Sequence, residues 1–245
     1  MSNTNLVNHY DNKYRGTLED KIQEIKVTSV PKNRFEMTVA CGVKNSGGRY
    51  LEIGAGSGGT LYTLLNYYDE LVATELSPVR TQVLNKIFGD SKTEDKIRII
   101  CNNIETDSLE YPDKYFNTIV MNAVIEHLFD PIAVINKLYR LTSDGGRLII
   151  GTPNIAKYTR RIKLLLGYFP STASTAEGLI CYDEHTPTDL YDEGHLHYFT
   201  YRSLGKILIE RAGFKKIEFL GFGIPVLSKI WPELFSDDVF IIAYK

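Results

Sequence analysis

The sequence predicts an α/β fold, a doubly wound and mostly parallel sheet of seven strands that ends in a terminal antiparallel strand. Three observations carry this expectation. From Arg49 onward, short apolar runs alternate with amphipathic helical stretches, the pattern of a parallel sheet covered on both faces. The first run, Arg49–Ile53, breaks into the bend Gly54-Ala-Gly-Ser-Gly-Gly59 before a helix begins. The last two runs are joined without a convincing helix, so they read as a hairpin whose final strand is antiparallel.

The elements follow in order. Arg49–Ile53 is the first strand and Leu71–Glu75 the second. Ser77 caps the next helix, Pro78 suits its first turn, Val79, Val83, Leu84 and Ile87 line one face, and Gly89 ends it. Ile97–Cys101 and Phe116–Asn122 are the third and fourth strands. Asp130-Pro131 opens a helix with Ile132, Ile135 and Leu138 inward, and Asp144-Gly-Gly146 turns into the strand Arg147–Ile150. The helix Tyr201–Ala212, closed by Gly213, leads to Lys215–Leu220 and Asp238–Ala243.

A chain of 245 residues with 43% hydrophobic content can bury one substantial core. Its 28 basic and 30 acidic residues nearly cancel, which argues against a general nucleic-acid binder. Cys41, Cys101 and Cys181 are widely spaced and include no C-x-x-C pair, so neither a disulfide framework nor a thiolate zinc site is expected. Residues 1–10 lack a basic and an apolar signal region, and no apolar run approaches membrane-spanning length. A cytoplasmic protein without a membrane partner is expected.

The glycine bend carries the chemistry. Glycine adopts positive φ and has no Cβ, so a ligand can lie against bare backbone there, and the following helix turns its first N–H groups into the same space. Its spacing admits two cofactors. Gly54, Gly56 and Gly59 satisfy G-x-G-x-x-G, the dinucleotide fingerprint. Gly54, Gly56 and Gly58, preceded by Glu52, give acidic-x-G-x-G-x-G, which resembles motif I of the class I S-adenosylmethionine-dependent methyltransferases. A dinucleotide would place its pyrophosphate close to the Glu52 carboxylate, whereas S-adenosylmethionine brings an ammonium and a sulfonium that a carboxylate favours. The bend by itself leans toward the methyl donor and leaves NAD open. Chain length weighs further against a dinucleotide oxidoreductase, for which too little sequence remains to form a second βαβ half and a substrate domain.

Over roughly Arg49–Lys245 the sequence is similar to the class I methyltransferases. Tyr111-Pro-Asp-Lys-Tyr-Phe-Asn-Thr-Ile-Val-Met-Asn-Ala-Val-Ile-Glu-His-Leu128 resembles the FPDxxFDxVxxxxVLEHL segment of the subfamily that includes quinone-pathway, sugar and secondary-metabolite enzymes. Gly151-Thr-Pro-Asn154 and Gly194-His-Leu-His-Tyr-Phe-Thr200 resemble later elements of that group. The resemblance implies a Rossmann-like methyltransferase fold and S-adenosylmethionine as cofactor, bound by Glu52, Gly54, Ala55, Gly56, Ser57 and Gly58. It places Glu75, with Leu76 beside it, on the ribose hydroxyls, about 20 residues beyond the first glycine. It places Asn103 and Ile104 against the adenine, although Asn103 departs from the usual acid, and Asn122 against the methionine part. Asn8-His-Tyr-Asp-Asn-Lys-Tyr14 resembles the N-terminal lid, with Tyr10 or Tyr14 over the cofactor. The implied organisation is an N-terminal lid and helices over 1–48 and the methyltransferase domain over 49–245, with an acceptor cap inserted at about 154–199.

Methyl transfer from a sulfonium is an in-line displacement that depends mostly on positioning in a water-poor pocket. A hydroxyl acceptor must also lose its proton, and a histidine suits that task. His195 is the first candidate for a general base and His127 the second. His195 and His197 alternate on an extended piece, so one of them faces the pocket. In the cap, Lys157, Arg160, Arg161 and Lys163 run without an acid through Gly167 and suggest an anionic acceptor group, or simply a solvated helix face. Tyr182, Asp183, Glu184, His185, Asp189, Tyr191 and Asp192 suit a hydroxylated small molecule. The expected acceptor is a sugar, nucleotide-linked sugar or similar metabolite, with no metal and no nucleic acid.

Four alternatives stay open. Glu126, His127 and His195 match three of four metal ligands of the small-RNA 3′-terminal 2′-O-methyltransferases, with Ala123 replacing the first acid. An amine N-methyltransferase, a NAD-dependent oxidoreductase and a non-catalytic cofactor-binding relative complete the set.

Overall fold

In the computed structural model, residues 22–89, 95–172 and 191–245 are described, together with residues 7 and 11. Helix α1 (Arg34–Lys44) is capped by Asn33, whose side chain accepts the Glu36 N–H. Strand β1 (Arg49–Ile53) and the short helix α2 (Gly59–Leu64) follow, then β2 (Glu70–Glu75), α3 (Pro78–Gly89), β3 (Ile97–Cys101) and β4 (Phe116–Asn122). Helix α4 (Pro131–Leu141) leads into β5 (Thr142–Pro153), and α5 (Tyr158–Leu165) lies beyond it. Helix α6 (Tyr201–Lys206), β6 (Lys216–Leu220), the single turns α7 (Leu227–Ile230) and α8 (Pro232–Phe235), and β7 (Asp238–Tyr244) complete the chain.

The seven strands form one sheet in the order β3-β2-β1-β4-β5-β7-β6. The first five pair in parallel, and β7 inserts antiparallel between β5 and β6. Side chains alternate faces along each strand. Leu51, Ile53, Ile119, Met121, Leu148 and Ile150 enter one buried cluster with Val134, Ile135 and Leu138 of α4 and Leu204 of α6. Their neighbours Tyr50, Val120 and Ile149 enter the other, with Leu61 and Leu64 of α2 and Leu84 of α3. The chain order reverses between β1 and β4, the switch point where open α/β sheets leave a crevice at the strand C-termini.

Four local expectations are corrected. Helix α3 buries Arg80, Thr81, Leu84 and Phe88, not the Val79–Val83–Ile87 face, because Phe88 packs into the core and Arg80 Nε donates to the Gly56 carbonyl at 2.5 Å. In α4, Ile132 is 40% exposed, and Val134 and Leu141 are buried with Ile135 and Leu138. Strand β5 begins at Thr142, before the expected Arg147, because a register shift against β4 between Phe116 and Thr118 absorbs the Asp144-Gly145-Gly146 bend. The helix from Tyr201 opens after Lys206 into a wide turn over Ile207–Arg211, keeping Leu204, Leu208 and Ala212 buried.

Candidate active site

The ends of β1, β2 and β4 converge on a cavity of about 520 Å³. Gly54 and Ala55 both donate backbone N–H groups to the Thr74 carbonyl at 2.9 Å, stitching the bend to β2. Gly54, Gly56 and Gly58 take positive φ of 78°, 51° and 78°. At Gly54 a Cβ would meet Val124 Cγ2 at 2.7 Å, so the bend and the segment after β4 approach too closely for a side chain there. Glu75 closes the bend from the other side. Its Oε2 accepts the Gly56 N–H at 2.9 Å and its Oε1 the Ser77 N–H at 3.0 Å. Burial raises the Glu75 carboxyl above its ordinary range, against the opposing pull of these backbone donors.

Glu52 differs. It is buried at the end of β1, and burial pushes its carboxyl up to about 8, with a Thr60 hydrogen bond opposing and Glu75 adding to the rise. Among the described residues its Oε2 has no hydrogen-bond partner, and neither do Asn122 Oδ1 and Asn102 Oδ1. An unpartnered buried polar atom is costly. Among the described residues the Tyr50 hydroxyl is likewise buried without a partner, and in its ionised form Glu52 would attract a cationic ligand group and repel a pyrophosphate.

A second set of polar groups lines the same cavity. Glu126 is buried, and its Oε2 accepts the Thr152 hydroxyl at 2.9 Å. Arg34 of α1 places Nη1 3.9 Å from Glu126 Oε1 and grips Asp238 through Nε at 2.8 Å and Nη2 at 3.1 Å. Burial lifts the Glu126 carboxyl to about 7, with Arg34 and Thr152 among the groups opposing that rise. The Glu126 carbonyl accepts the N–H groups of Leu196 and His197, at 2.8 and 3.1 Å, which ties the segment after Gly194 to the turn after β4. The rings of His127 and His195 consequently meet edge to face with centroids 4.8 Å apart. His127 Nδ1 lies 3.3 Å from the Gly194 carbonyl, and His195 Nδ1 lies 2.6 Å from Thr172 Oγ1. One ligand atom from each of Glu126, His127 and His195 lies within 4.8 Å of the others.

Of the residues singled out in the sequence, Glu52, Gly54, Ala55, Gly56, Ser57, Glu75, Leu76, Asn103, Ile104, Asn122, Glu126, His127 and His195 line this cavity. Gly58 does not; it caps α2, and a Cβ there would meet Leu84 Cδ2 at 2.7 Å. Asn103 commits its Oδ1 to the Glu105 N–H at 3.0 Å. His197 turns away and stacks near Phe199, 6.2 Å between ring centres. The basic run of α5 does not line the cavity: Lys157 pairs with Asp237, and Arg160 donates to the carbonyls of Ser171, Asn154 and Asp237. Tyr10, Tyr14 and the stretch from Tyr182 to Asp189 lie outside the described residues. Sequence reasoning missed Arg34, Asn102 and Thr172. None lies in a motif; Arg34 sits in the first turn of a helix whose cap, Asn33, accepts the Glu36 N–H.

A family model described as a methyltransferase domain matches residues 30–218. The chain belongs to this family. The methyltransferase is of class I, with S-adenosylmethionine as cofactor, and the family resolves the two readings of the glycine bend in favour of the methyl donor. Over 109 residues it is 36% identical to CymA, named as a nonribosomal peptide synthetase, of Salinispora arenicola, covering 42% of this chain and 1% of that one. Over 106 residues it is 31% identical to the malonyl-[acyl-carrier protein] O-methyltransferase of a Paenibacillus species, covering 42% of this chain and 38% of that one. The methyltransferase thus spans well under two thirds of either relative. A Methanococcus maripaludis structure described as an S-adenosyl-L-methionine-dependent methyltransferase superposes with a TM-score of 0.54 at 15% identity, covering 98% of this chain and 91% of that one. Among the described residues no helix is long and apolar enough to cross a membrane.

Proposed function

We propose that this methyltransferase transfers the methyl group of S-adenosylmethionine to a hydroxyl oxygen of a small polar acceptor, a sugar, nucleotide-linked sugar or similar metabolite, with His195 as general base. One observation carries the reading: His195, nearly buried and tethered through Nδ1, lines the same cavity as Glu52 and the glycine bend. When bound, the cofactor supplies an electrophilic methyl whose sulfur leaves as a neutral thioether. Glu52 would hold its ammonium, Glu75 its ribose hydroxyls, and Asn103 with Ile104 its adenine, while Asn122 flanks the methionine part.

The protein's own task is then to place an acceptor oxygen, exclude water and receive one proton. His195 takes the hydroxyl proton as the new bond forms, a contribution of about 10²–10⁴-fold for a well-placed base. His127, held by the Gly194 carbonyl, is the second candidate. Among the described residues Arg34 is the one arginine or lysine that lines the cavity, and its guanidinium is already engaged by Asp238 and Glu126. The O-methyltransferase relative acts on oxygen by its name, which agrees with this acceptor atom.

A second reading has its own observation. A divalent cation held by Glu126, His127 and His195 would orient an acceptor hydroxyl directly. The ties of Glu126 to Thr152 and of His195 through Nδ1 to Thr172 suit a base and a metal ligand alike, so chelation separates the two readings. The test is formation of S-adenosylhomocysteine with a panel of hydroxylated acceptors, including nucleotide sugars, by the wild type and by His195→Ala. Loss of turnover in the variant is expected. Near-normal turnover, or methylation confined to amine acceptors, overturns the reading.

A further inference from the structure

We propose that Thr172 and Asp192 are positioning residues that fix His195 in the tautomer with its proton on Nδ1, leaving the lone pair on Nε2. The inference rests on the reading of His195 as the base and extends it to the two residues that hold the ring.

Thr172 Oγ1 stands between two partners, 2.6 Å from His195 Nδ1 and 3.0 Å from Asp192 Oδ2. A hydroxyl has one proton, so it donates to one of them and accepts from the other. Asp192 decides which. It is fully buried, and its Oδ1 receives the Ser171 hydroxyl. Its Oδ2 receives the Tyr198 hydroxyl at 3.0 Å and the Thr172 backbone N–H at 3.3 Å. Donors converging on both oxygens stabilise the ionised carboxylate, which accepts and does not donate. The Thr172 proton therefore goes to Asp192, and the Thr172 oxygen accepts from His195 Nδ1–H. The opposite order would need a proton on a carboxylate already surrounded by donors.

The backbone is arranged to the same end. Asp192 takes φ 48° and Gly194 takes φ 81°, and the His195 N–H donates to the Asp192 carbonyl at 3.2 Å. Aspartate is among the few non-glycine residues that occupy this left-handed region readily. The tight turn brings Asp192 Oδ2 within 3.8 Å of His195 Nδ1. Thr172 lies 20 residues before Asp192 in the chain, so the order depends on a contact between separated stretches.

The consequence for catalysis balances without a co-reactant. The acceptor O–H proton passes to Nε2, the oxygen pair bonds the methyl carbon, and the carbon–sulfur pair departs with sulfur. The imidazolium formed carries its charge partly on Nδ1–H, where Thr172 and the Asp192 carboxylate stabilise it.

Two-bond proton–nitrogen spectra of protein labelled with ¹⁵N-histidine test this at about pH 8, where an ordinary imidazole is neutral. His195→Gln assigns the His195 signals by their disappearance. The expected wild-type pattern is protonated Nδ1 and unprotonated Nε2. Thr172→Val should convert it to a mixture or to the Nε2–H form, and Thr172→Ser should restore it. Asp192→Asn preserves the left-handed turn, because asparagine also tolerates positive φ, and should weaken the preference. A wild-type His195 protonated on Nε2, or a spectrum unchanged in Thr172→Val, overturns the proposal. The spectra need neither cofactor nor acceptor. Intact turnover in His195→Ala therefore overturns the base reading and with it the catalytic use of the order, whereas an Nε2–H ring overturns the order alone.

Discussion

His127 and His195 pack ring against ring, centroids 4.8 Å apart, yet each is anchored by a different partner, the Gly194 carbonyl for one and the Thr172 hydroxyl for the other. Two imidazoles on separate tethers are separable by substitution. His195→Ala should lower turnover by about 10²–10⁴-fold while leaving S-adenosylmethionine affinity close to wild type. His127→Ala removes one backbone tether and should cost about tenfold or less. Steady-state kinetics with calorimetry of cofactor binding separates the two; equal losses would contradict the division of roles.

Chelation distinguishes the metal-free base from a cation held by Glu126, His127 and His195. Dialysis against EDTA should leave turnover unchanged. A loss restored by added manganese or zinc would assign the cluster to a metal.

On the role proposed for Glu52, cofactor binding should depend on pH. With its carboxyl at about 8 in the free protein, it is protonated at neutral pH and must ionise to hold an ammonium. Affinity should rise between about pH 6 and 8 by up to tenfold per pH unit, with proton release on binding. Calorimetry in buffers of different ionisation enthalpy measures that release, and Glu52→Gln should abolish it. Stability follows the opposite direction. A carboxyl raised from 4.5 to about 8 contributes stability that is complete below 4.5 and lost as pH rises through 8. The stability of the wild type relative to Glu52→Gln should therefore decline from about pH 5 to pH 8, by on the order of a few kcal/mol.

Arg34 neutralises two buried acids, Asp238 by a two-pronged contact and Glu126 at 3.9 Å. Arg34→Ala strands both and should destabilise the fold by about 3–5 kcal/mol in urea unfolding. Arg34→Lys should recover only part of it, since an ammonium lacks the planar fork.

Gly58 and Gly89 begin and end helical segments but differ in surroundings. Gly58 sits at φ 78°, and a Cβ added to it would lie 2.7 Å from Leu84, whereas a Cβ on Gly89 would meet nothing within 4 Å. Gly58→Ala should destabilise by about 1–3 kcal/mol. Gly89→Ala should change stability by less than about 0.5 kcal/mol in the same assay.

Local pattern was enough for most strands. Arg49–Ile53, Ile97–Cys101 and Phe116–Asn122 occur with the limits expected; the first and last are mostly buried apolar runs, and the edge strand Ile97–Cys101 buries only Ile99. Helix faces were less legible. In α3 the expected face was Val79, Val83, Leu84 and Ile87, and the contacts of Phe88 and Arg80 instead select a rotation that places Val79 at the margin. At the site, the glycine bend and the position of Glu52 just before it were readable because both depend on neighbouring backbone. Arg34 and Thr172 were not, since each acquires its role from partners remote in the chain.

The amino-acid sequence by itself determined the alternation of strands and helices and the glycine bend with its flanking acid, and the family match chose between the two cofactors that the bend admits. Those features depend on residues within a turn or two of one another, where periodicity and backbone freedom act directly. Only the tertiary structure decided that His195 and not His197 enters the cavity, that Arg160 serves backbone carbonyls, and that Asp192 stands behind Thr172. Orientation, burial and hydrogen-bond order arise when distant segments are packed together, and one-dimensional spacing does not encode which partners they bring.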